Sequence, residues 1–174
     1  MALFKTTEID QAAEEDLVFA DDLAADFVIC KSPDKLKHLL NALEGGKSVH
    51  YVSKGDWSMH DLLMQLLKKY RPAELFITTY ALREFSVRQI ILSQQAGDIS
   101  AVNMILVYRA KVRVPEVYQL ASGNFNKICL YGIHAKVAVI RSSAGSITIV
   151  GSANWTSNPR VECGVVSTNP DLAE

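Results

Sequence analysis

The sequence predicts an α/β protein with a mixed, mostly parallel central sheet flanked by helices on both faces. Two observations predict this class. Short apolar segments rich in β-branched residues alternate with helix-like segments of ten to fifteen residues, which is typical of layered α/β folds. The chain has 174 residues, of which 49% are hydrophobic. That is enough for one well-packed domain and too little for two large ones.

Residues 1–30 are predicted to be an acidic, helical N-terminal segment, and residues 31–174 a single domain. Apolar residues with a helical spacing fall within residues 8–26. The first 30 residues carry eight acidic side chains against one lysine, whereas the other 144 carry seventeen lysines and arginines against eleven acidic residues. A mildly basic body suits a phosphate-bearing partner, although ordinary surface charge gives the same count.

The first strands and helices of the predicted domain alternate. Residues 27–32 and 47–53 are apolar runs with β-branched residues, which are typical of strands. Between them, residues 33–44 follow a Ser-Pro pair and precede a Gly-Gly pair, which are start and stop signals of a helix. In the next helix Ser58 is the expected N-cap, and Asp61 three residues later completes a capping box.

The alternation continues through the second half of the chain. Residues 74–80 and 101–109 read as strands, and a helix over about residues 82–96 connects them. Pro115 opens a brief helix, because proline is favoured at the first helical position. The run NKICLYG is a further strand, and residues 131–162 supply two or three more.

Composition also bears on the cellular setting. No run of eighteen apolar residues occurs, so the sequence predicts no membrane span. The first residues lack the basic flank and apolar core of a secretion signal. Three cysteines fit neither a disulfide framework nor a CxxC metal site, and their apolar surroundings predict reduced core residues. A cytoplasmic protein is therefore expected.

Five polar side chains stand among apolar residues in the C-terminal strands. His134 and Lys136 are two residues apart, so they are expected to project from one face of a strand. Ser152 and Asn154 share a face of the next strand, and Glu162 lies on a third among apolar neighbours. All five lie near predicted strand ends, where a hairpin would bring them together.

These residue types suit chemistry at phosphorus. A neutral histidine can attack the phosphorus atom and form a phosphohistidine that water later hydrolyses. Lysine and asparagine donate hydrogen bonds to the non-bridging oxygens, whose charge grows in the transition state. A carboxylate can hold one ring nitrogen of the histidine and orient the other. No metal or other cofactor is expected, because the ammonium and amide groups supply the electrostatic stabilisation.

The order of these motifs resembles the phospholipase D superfamily. Its hallmark is HxK followed after four residues by aspartate, then a GSxN turn and a later acid, and this chain has HAK at 134–136, GSAN at 151–154 and RVE at 160–162. The segments SKGDWSMHDLL, ELFITTY and AVNMILVYR are also similar to the family, so the resemblance covers about residues 45–168. The resemblance is to the compact, single-motif nuclease branch of the family.

One position departs from the family pattern, because Arg141 stands where the family has aspartate. The tyrosyl-DNA phosphodiesterase branch also lacks that acid, so the departure leaves activity open. The resemblance implies a metal-independent phosphodiesterase, a nuclease acting on DNA or RNA through a phosphohistidine. A nucleic-acid-binding or assembly module without turnover is the alternative that Arg141 favours, and an enzyme acting on phospholipids is the third.

The reaction of this family uses two histidines, one as nucleophile and one as general acid, yet the chain has a single motif. Compact single-motif members pair two chains about a two-fold axis. The resemblance therefore implies a homodimer with one composite site at its interface, formed by His134 and its symmetry mate.

Each candidate site residue has an expected role, and several also have an alternative interpretation. The expected catalytic residues are His134, Lys136, Asn154 and Glu162. The expected substrate-binding residues are Ser152, Tyr80, Trp155, Arg109 and Arg113. A polar edge strand is the alternative for the histidine and lysine, turn formation for the serine, core packing for the tryptophan, and a solvated rim for the two arginines.

Overall fold

The computed structural model describes residues 18–21, 25–30, 36–43, 48–53, 57–156 and 160–174. The strands in chain order are β1 (Val18–Asp21), β2 (Ala25–Cys30), β3 (Ser48–Ser53), β4 (Ala73–Thr79), β5 (Ile99–Val107), β6 (Lys127–Tyr131), β7 (Val137–Ser142), β8 (Gly145–Gly151) and β9 (Glu162–Ser167). The helices are α1 (Leu36–Ala42), α2 (Met59–Tyr70), α3 (Glu84–Gln95), α4 (Ala110–Arg113), α5 (Pro115–Asn124) and a 3-10 helix at Pro170–Ala173.

The strands described form one sheet of nine in the order β1-β2-β3-β9-β8-β7-β4-β5-β6. The pairs β2–β3, β4–β5 and β5–β6 are parallel, and the other five neighbouring pairs are antiparallel. The predicted mixed α/β fold is confirmed, but the prediction of a mostly parallel sheet is wrong. Only a two-residue turn separates β7 from β8, and such a turn joins antiparallel strands.

The hydrophobic core lies on one face of the sheet. Ile77 of β4, Ile140 of β7 and Ile149 of β8 share this face and are buried. Helices α1, α2, α3 and α5 bury their apolar residues in the same cluster. On the other face, the Thr148 hydroxyl donates a hydrogen bond to the carbonyl oxygen of Leu172 in the 3-10 helix (3.0 Å). Helical structure therefore flanks the sheet, and the longer helices cover the core face.

Two of the cysteines lie away from the core. Cys129 and Cys163 are free thiols, but both are exposed on strands whose alternation turns them from the core face. The prediction that they are core residues is therefore wrong. The apolar runs that suggested it belong to strands with one covered face and one open face.

The N-terminal segment differs from the predicted helix where the structure describes it. Residues 18–21 and 25–30 are the antiparallel strands β1 and β2, with Val18 opposite Val28. Valine and phenylalanine favour strands, and pairing with a neighbouring strand outweighs a helical spacing of apolar residues. The rest of the predicted helix lies outside the described residues.

Helix α2 begins at the capping box that the sequence predicts. The Ser58 hydroxyl accepts a hydrogen bond from the Asp61 amide (3.3 Å), and the Asp61 carboxylate accepts one from the Ser58 amide (2.7 Å). The contact with His60 is the largest influence lowering the pKa of Asp61 to about 2, and both Ser58 bonds add to it against the opposing effect of burial. The ionised carboxylate therefore stabilises the first turn of α2.

Where the structure describes the chain, no helix is both long and apolar enough to cross a membrane.

Replacing Asp61 by asparagine is expected to lower the free energy of unfolding by about 1 kcal/mol at pH 7, because the cap loses its charged acceptor. Folding lowers the pKa of Asp61 from 3.8 to about 2, so the stabilisation is complete above pH 3.8 and is lost as the pH falls toward 2. Urea denaturation of both proteins at pH 7 and pH 3 measures the difference, and a difference that does not shrink at pH 3 would contradict the assignment.

Candidate active site

Motif residues from three strand ends meet at one edge of the sheet. Lys136 directly precedes β7, Ser152 directly follows β8, and Glu162 opens β9. Because β8 runs antiparallel to both neighbours, these ends lie side by side. The Gly151 amide donates to the carbonyl oxygen of Lys136 (3.1 Å), and the Ser152 amide donates to that of Cys163 (2.9 Å).

The His134 ring and the Lys136 ammonium group are in contact. Lys136 Nζ lies 3.1 Å from Nδ1 of His134 and 3.4 Å from Nε2, and it donates to the His134 carbonyl oxygen at 2.5 Å. Strand β7 begins only at Val137, so both residues lie in the segment before it and not on a shared strand face. The lysine is buried and the histidine is exposed, which leaves the ring open to a ligand.

The Lys136 ammonium is a partly desolvated cation. Burial lowers its pKa, while the electrostatic influences of Glu162 and, to a smaller extent, Tyr80 act in the opposite direction. The ammonium nitrogen also lies 5.9 Å from the centre of the Tyr80 ring. A cation removed from water attracts an anionic oxygen more strongly than a solvated one, because the local dielectric constant is lower.

Tyr80 and Arg113 complete the surroundings of the histidine. The Tyr80 ring lies 5.0 Å from the His134 ring between centres, and its hydroxyl accepts a hydrogen bond from Arg113 (3.1 Å). The structure therefore brings both of these predicted substrate-binding residues to the site. Arg109 lies one helical turn before Arg113, and its guanidinium group stands 5.7 Å from the centre of the Tyr108 ring.

Ser152 and Glu162 form a hydrogen-bonded pair. The serine hydroxyl donates to the Glu162 carboxylate and accepts from the Cys163 amide (3.0 Å). The sequence predicts a contact between Glu162 and a ring nitrogen of His134; the hydrogen bond described here joins the glutamate to Ser152. Strand β8 lies between β9 and β7, so the glutamate at the start of β9 meets the residue that follows β8.

Asn154 and Trp155 turn toward the interior. Trp155 is fully buried, its amide donates to the carbonyl oxygen of Ala81 (3.3 Å), and its ring lies 5.9 Å from the His60 ring. Core packing, one of the two alternatives for Trp155, is therefore its place in this structure. The side-chain oxygen of Asn154 is buried without a hydrogen-bond partner among the described residues.

Beneath the site, the Tyr51 ring lies across two glycines. Tyr51 pairs with Gly164, and Gly164 pairs with Gly151 of the GSAN motif. A Cβ atom at Gly151 would meet the Tyr51 hydroxyl at 2.7 Å, and one at Gly164 would meet that hydroxyl and the Val150 carbonyl oxygen at 2.5 Å. Burial is the main influence raising the pKa of Tyr51. Tyr51 was missed from the sequence, although glycine inside a strand signals the close approach of another group.

Arg141 lies far from this edge of the sheet. It is five residues along from Lys136, which corresponds to about 17 Å on an extended strand. Its guanidinium carbon stands 4.9 Å from the centre of the Phe76 ring, and the group donates a hydrogen bond to the carbonyl oxygen of Ala173. Arg141 therefore fastens the 3-10 helix to the face opposite the core and does not contact the histidine or the lysine.

The sheet order and the strand ends that carry these residues define a mixed α/β fold. Two solved structures are similar to the chain. NucT from Helicobacter pylori has a TM-score of 0.54 at 19% sequence identity, over 73% of this chain and 89% of that one. Polyphosphate kinase from Porphyromonas gingivalis has a TM-score of 0.54 at 18% identity, over 73% of this chain and 24% of that one.

At these identities the likeness shows the fold. The chain corresponds to about a quarter of the length of the polyphosphate kinase. No protein-family model matches the chain, and no curated protein matches it.

Replacing Gly151 by alanine is expected to destabilise the protein by about 1–3 kcal/mol, because the new methyl group overlaps the Tyr51 hydroxyl. Removing that hydroxyl in the double variant Gly151→Ala/Tyr51→Phe is expected to restore part of the loss. Chemical denaturation of the single and double variants measures both effects.

Gly164 provides the matched control. Alanine there also overlaps the Val150 carbonyl oxygen, which belongs to the backbone and cannot be trimmed by mutation. Tyr51→Phe is therefore expected to leave Gly164→Ala largely unrescued. Equal rescue at both glycines, or none at Gly151, would show that the tyrosine hydroxyl does not set the packing here.

Proposed function

We propose that the protein is a metal-independent phosphodiesterase, a nuclease that cleaves nucleic-acid phosphodiester bonds through a phosphohistidine at His134. The observation that supports this function best is the contact between the exposed imidazole of His134 and the desolvated ammonium of Lys136. The fold that the chain shares with NucT agrees with it.

His134 is the proposed nucleophile. A ring nitrogen attacks phosphorus, so a P–N bond forms while the P–O bond to the leaving group breaks, and a general acid protonates the departing oxygen. Water then attacks the phosphohistidine and releases the phosphate monoester. The His134 ring packs beside the Tyr80 ring but is exposed, so a phosphodiester in solution can reach it.

Lys136 and Asn154 are the proposed oxyanion partners. The Lys136 ammonium group is buried, and in its protonated form it stabilises the growing charge on the non-bridging oxygens. The asparagine amide is the second donor. Ser152 is a proposed phosphate contact that Glu162 orients through their hydrogen bond. Arg113, Arg109 and Tyr80 are proposed to hold the flanking nucleic acid, and Trp155 supports Asn154 from the core.

A second chain is proposed to supply the general acid. In the described part of the chain, no other histidine contacts His134, and the reaction needs a proton donor opposite the nucleophile. A two-fold axis at this edge would place the partner's imidazole there. Exposed apolar side chains support an interface: Phe85 and Val161 are 63% and 67% exposed and close in sequence to site residues.

A nucleic-acid-binding or assembly module without turnover is the second candidate. Arg141 at the position of the family's aspartate is the observation that favours it. Because residue 141 is an arginine and lies against Phe76 on the opposite face, that position supplies no carboxylate to Lys136. The charge of Glu162 does act on Lys136 and raises its pKa. This candidate predicts a dimer that retains oligonucleotides in a gel shift and never forms a phosphohistidine.

Cleavage of single- and double-stranded DNA in EDTA tests the nuclease proposal. Wild type is expected to cleave in the presence of the chelator, and His134→Ala is expected to lose at least about a thousandfold in rate, because the nucleophile is gone. His50→Ala is the matched control, since His50 is exposed on β3 and has no part in the proposed site. It is expected to cleave like wild type.

Cleavage that EDTA abolishes, or cleavage that survives His134→Ala, would contradict the proposal. DNA retained in a gel shift by a wild type that neither cleaves nor forms phosphohistidine would favour the second candidate.

A further inference from the structure

Two exposed tyrosines lie beside the proposed site, at the C-terminal ends of β5 and β6. Tyr108 directly follows β5 and is 53% exposed, and Tyr131 ends β6 and is 70% exposed. The Tyr108 amide donates to the carbonyl oxygen of Tyr131 (2.9 Å), so the two backbones are in contact. Neither ring belongs to the hydrophobic core.

This pair of tyrosines is continuous with the proposed site. Tyr131 lies three residues before His134, so their Cα atoms are at most about 11 Å apart. From Tyr108, the surface continues through the Arg109 guanidinium group to Arg113, which donates to Tyr80 beside the histidine. A ligand on the tyrosines can therefore extend to the imidazole along one surface.

Aromatic rings beside cations suit unpaired nucleotides. Every base has an apolar face that stacks on tyrosine, and one stacked base contributes about tenfold in affinity or more. Arg109 and Lys111 supply positive charge for the phosphates between the bases. In a duplex, the faces of the bases are occupied by their neighbours, so only unpaired nucleotides offer them to the rings.

We propose that Tyr108 and Tyr131 form a stacking platform for the bases of single-stranded nucleic acid next to the bond that is cleaved. The proposal rests on the proposed nuclease function and gives it a substrate class: single strands, or the unpaired ends of duplexes. A second copy of the chain fits this surface less well. Contact about a two-fold axis through the two tyrosines would bring Arg109 and Lys111 toward their own copies, and like charges there oppose association.

Binding of labelled oligonucleotides tests the platform, with His134→Ala as the background so that no cleavage occurs. Tyr131→Leu keeps an apolar side chain and removes the aromatic face, and Tyr131→Phe keeps the face and removes the hydroxyl. Fluorescence anisotropy is measured with an oligothymidine single strand and with a closed hairpin duplex. Tyr131→Leu and Tyr108→Leu are expected to weaken single-strand binding about tenfold and duplex binding less than twofold, and Tyr131→Phe to change neither.

Three results would overturn the platform: unchanged single-strand binding in both leucine variants, an equal loss for duplex and single strand, or a background protein that binds neither oligonucleotide. Sedimentation of the same variants tests whether a second copy of the chain occupies this surface instead. Leucine variants that no longer dimerise but bind the oligonucleotides with unchanged affinity would show that the tyrosines form an interface between copies. Failure of the platform differs from failure of the nuclease proposal. If the wild type cleaves DNA in EDTA while the leucine variants bind single strands normally, the platform proposal fails and the nuclease proposal stands.

Discussion

The antiparallel pairing of β7, β8 and β9 is the constraint on which the proposed site depends. HAK precedes β7, GSAN closes β8 and RVE opens β9. These three motifs, spread over 29 residues of sequence, meet at one edge only because each strand reverses the direction of the one before. The register matters as much as the direction. Val137 lies opposite Val150, and Gly151 lies opposite Gly164. This register places Lys136, just before β7, beside the end of β8, where Ser152 follows. A slip of one residue would turn these side chains to opposite faces.

The packing below this edge determines which residues the ladder can hold. The buried ring of Tyr51 needs two positions without side chains in β8 and β9. At the end of the same strands the Lys136 ammonium is buried, and this burial lowers its pKa. The charge is offset by the His134 carbonyl oxygen and by Glu162, and a phosphate oxygen is the natural further partner. Burial of Lys136 therefore prepares this cation for an anionic ligand.

Local signals in the sequence predicted the elements well, and long-range pairing escaped them. The Ser58 capping box and Pro115 located helix starts to the residue, because caps depend on neighbours three positions away. The alternation of strands and helices predicted a mixed, mostly parallel sheet, yet β9 lies between β8 and β3 and is antiparallel to both, and no local pattern encodes that position. The strands at 18–21 and 25–30 also form by pairing with each other, which the local spacing of apolar residues does not predict.

The candidate site shows the same division. The spacing identified His134 and Lys136 as candidate site residues, and the motif order identified Ser152 and Glu162. The hydrogen-bond partner of each side chain depends on strand order, which places the glutamate beside the serine. Tyr51 and Tyr131 belong to no motif. Only their positions across glycines and beside the histidine connect them with the site.

Two imidazoles, one from each of two chains, are proposed to act on one phosphorus atom, and an experiment that mixes wild-type and variant chains tests this proposal. Wild type and His134→Ala are refolded together in equal amounts, so that about one quarter of the dimers hold two imidazoles. We expect cleavage at about one quarter of the rate of the same total amount of wild type, because a mixed dimer lacks either the nucleophile or the acid. A rate of about one half would contradict the claim, since each chain would then act alone.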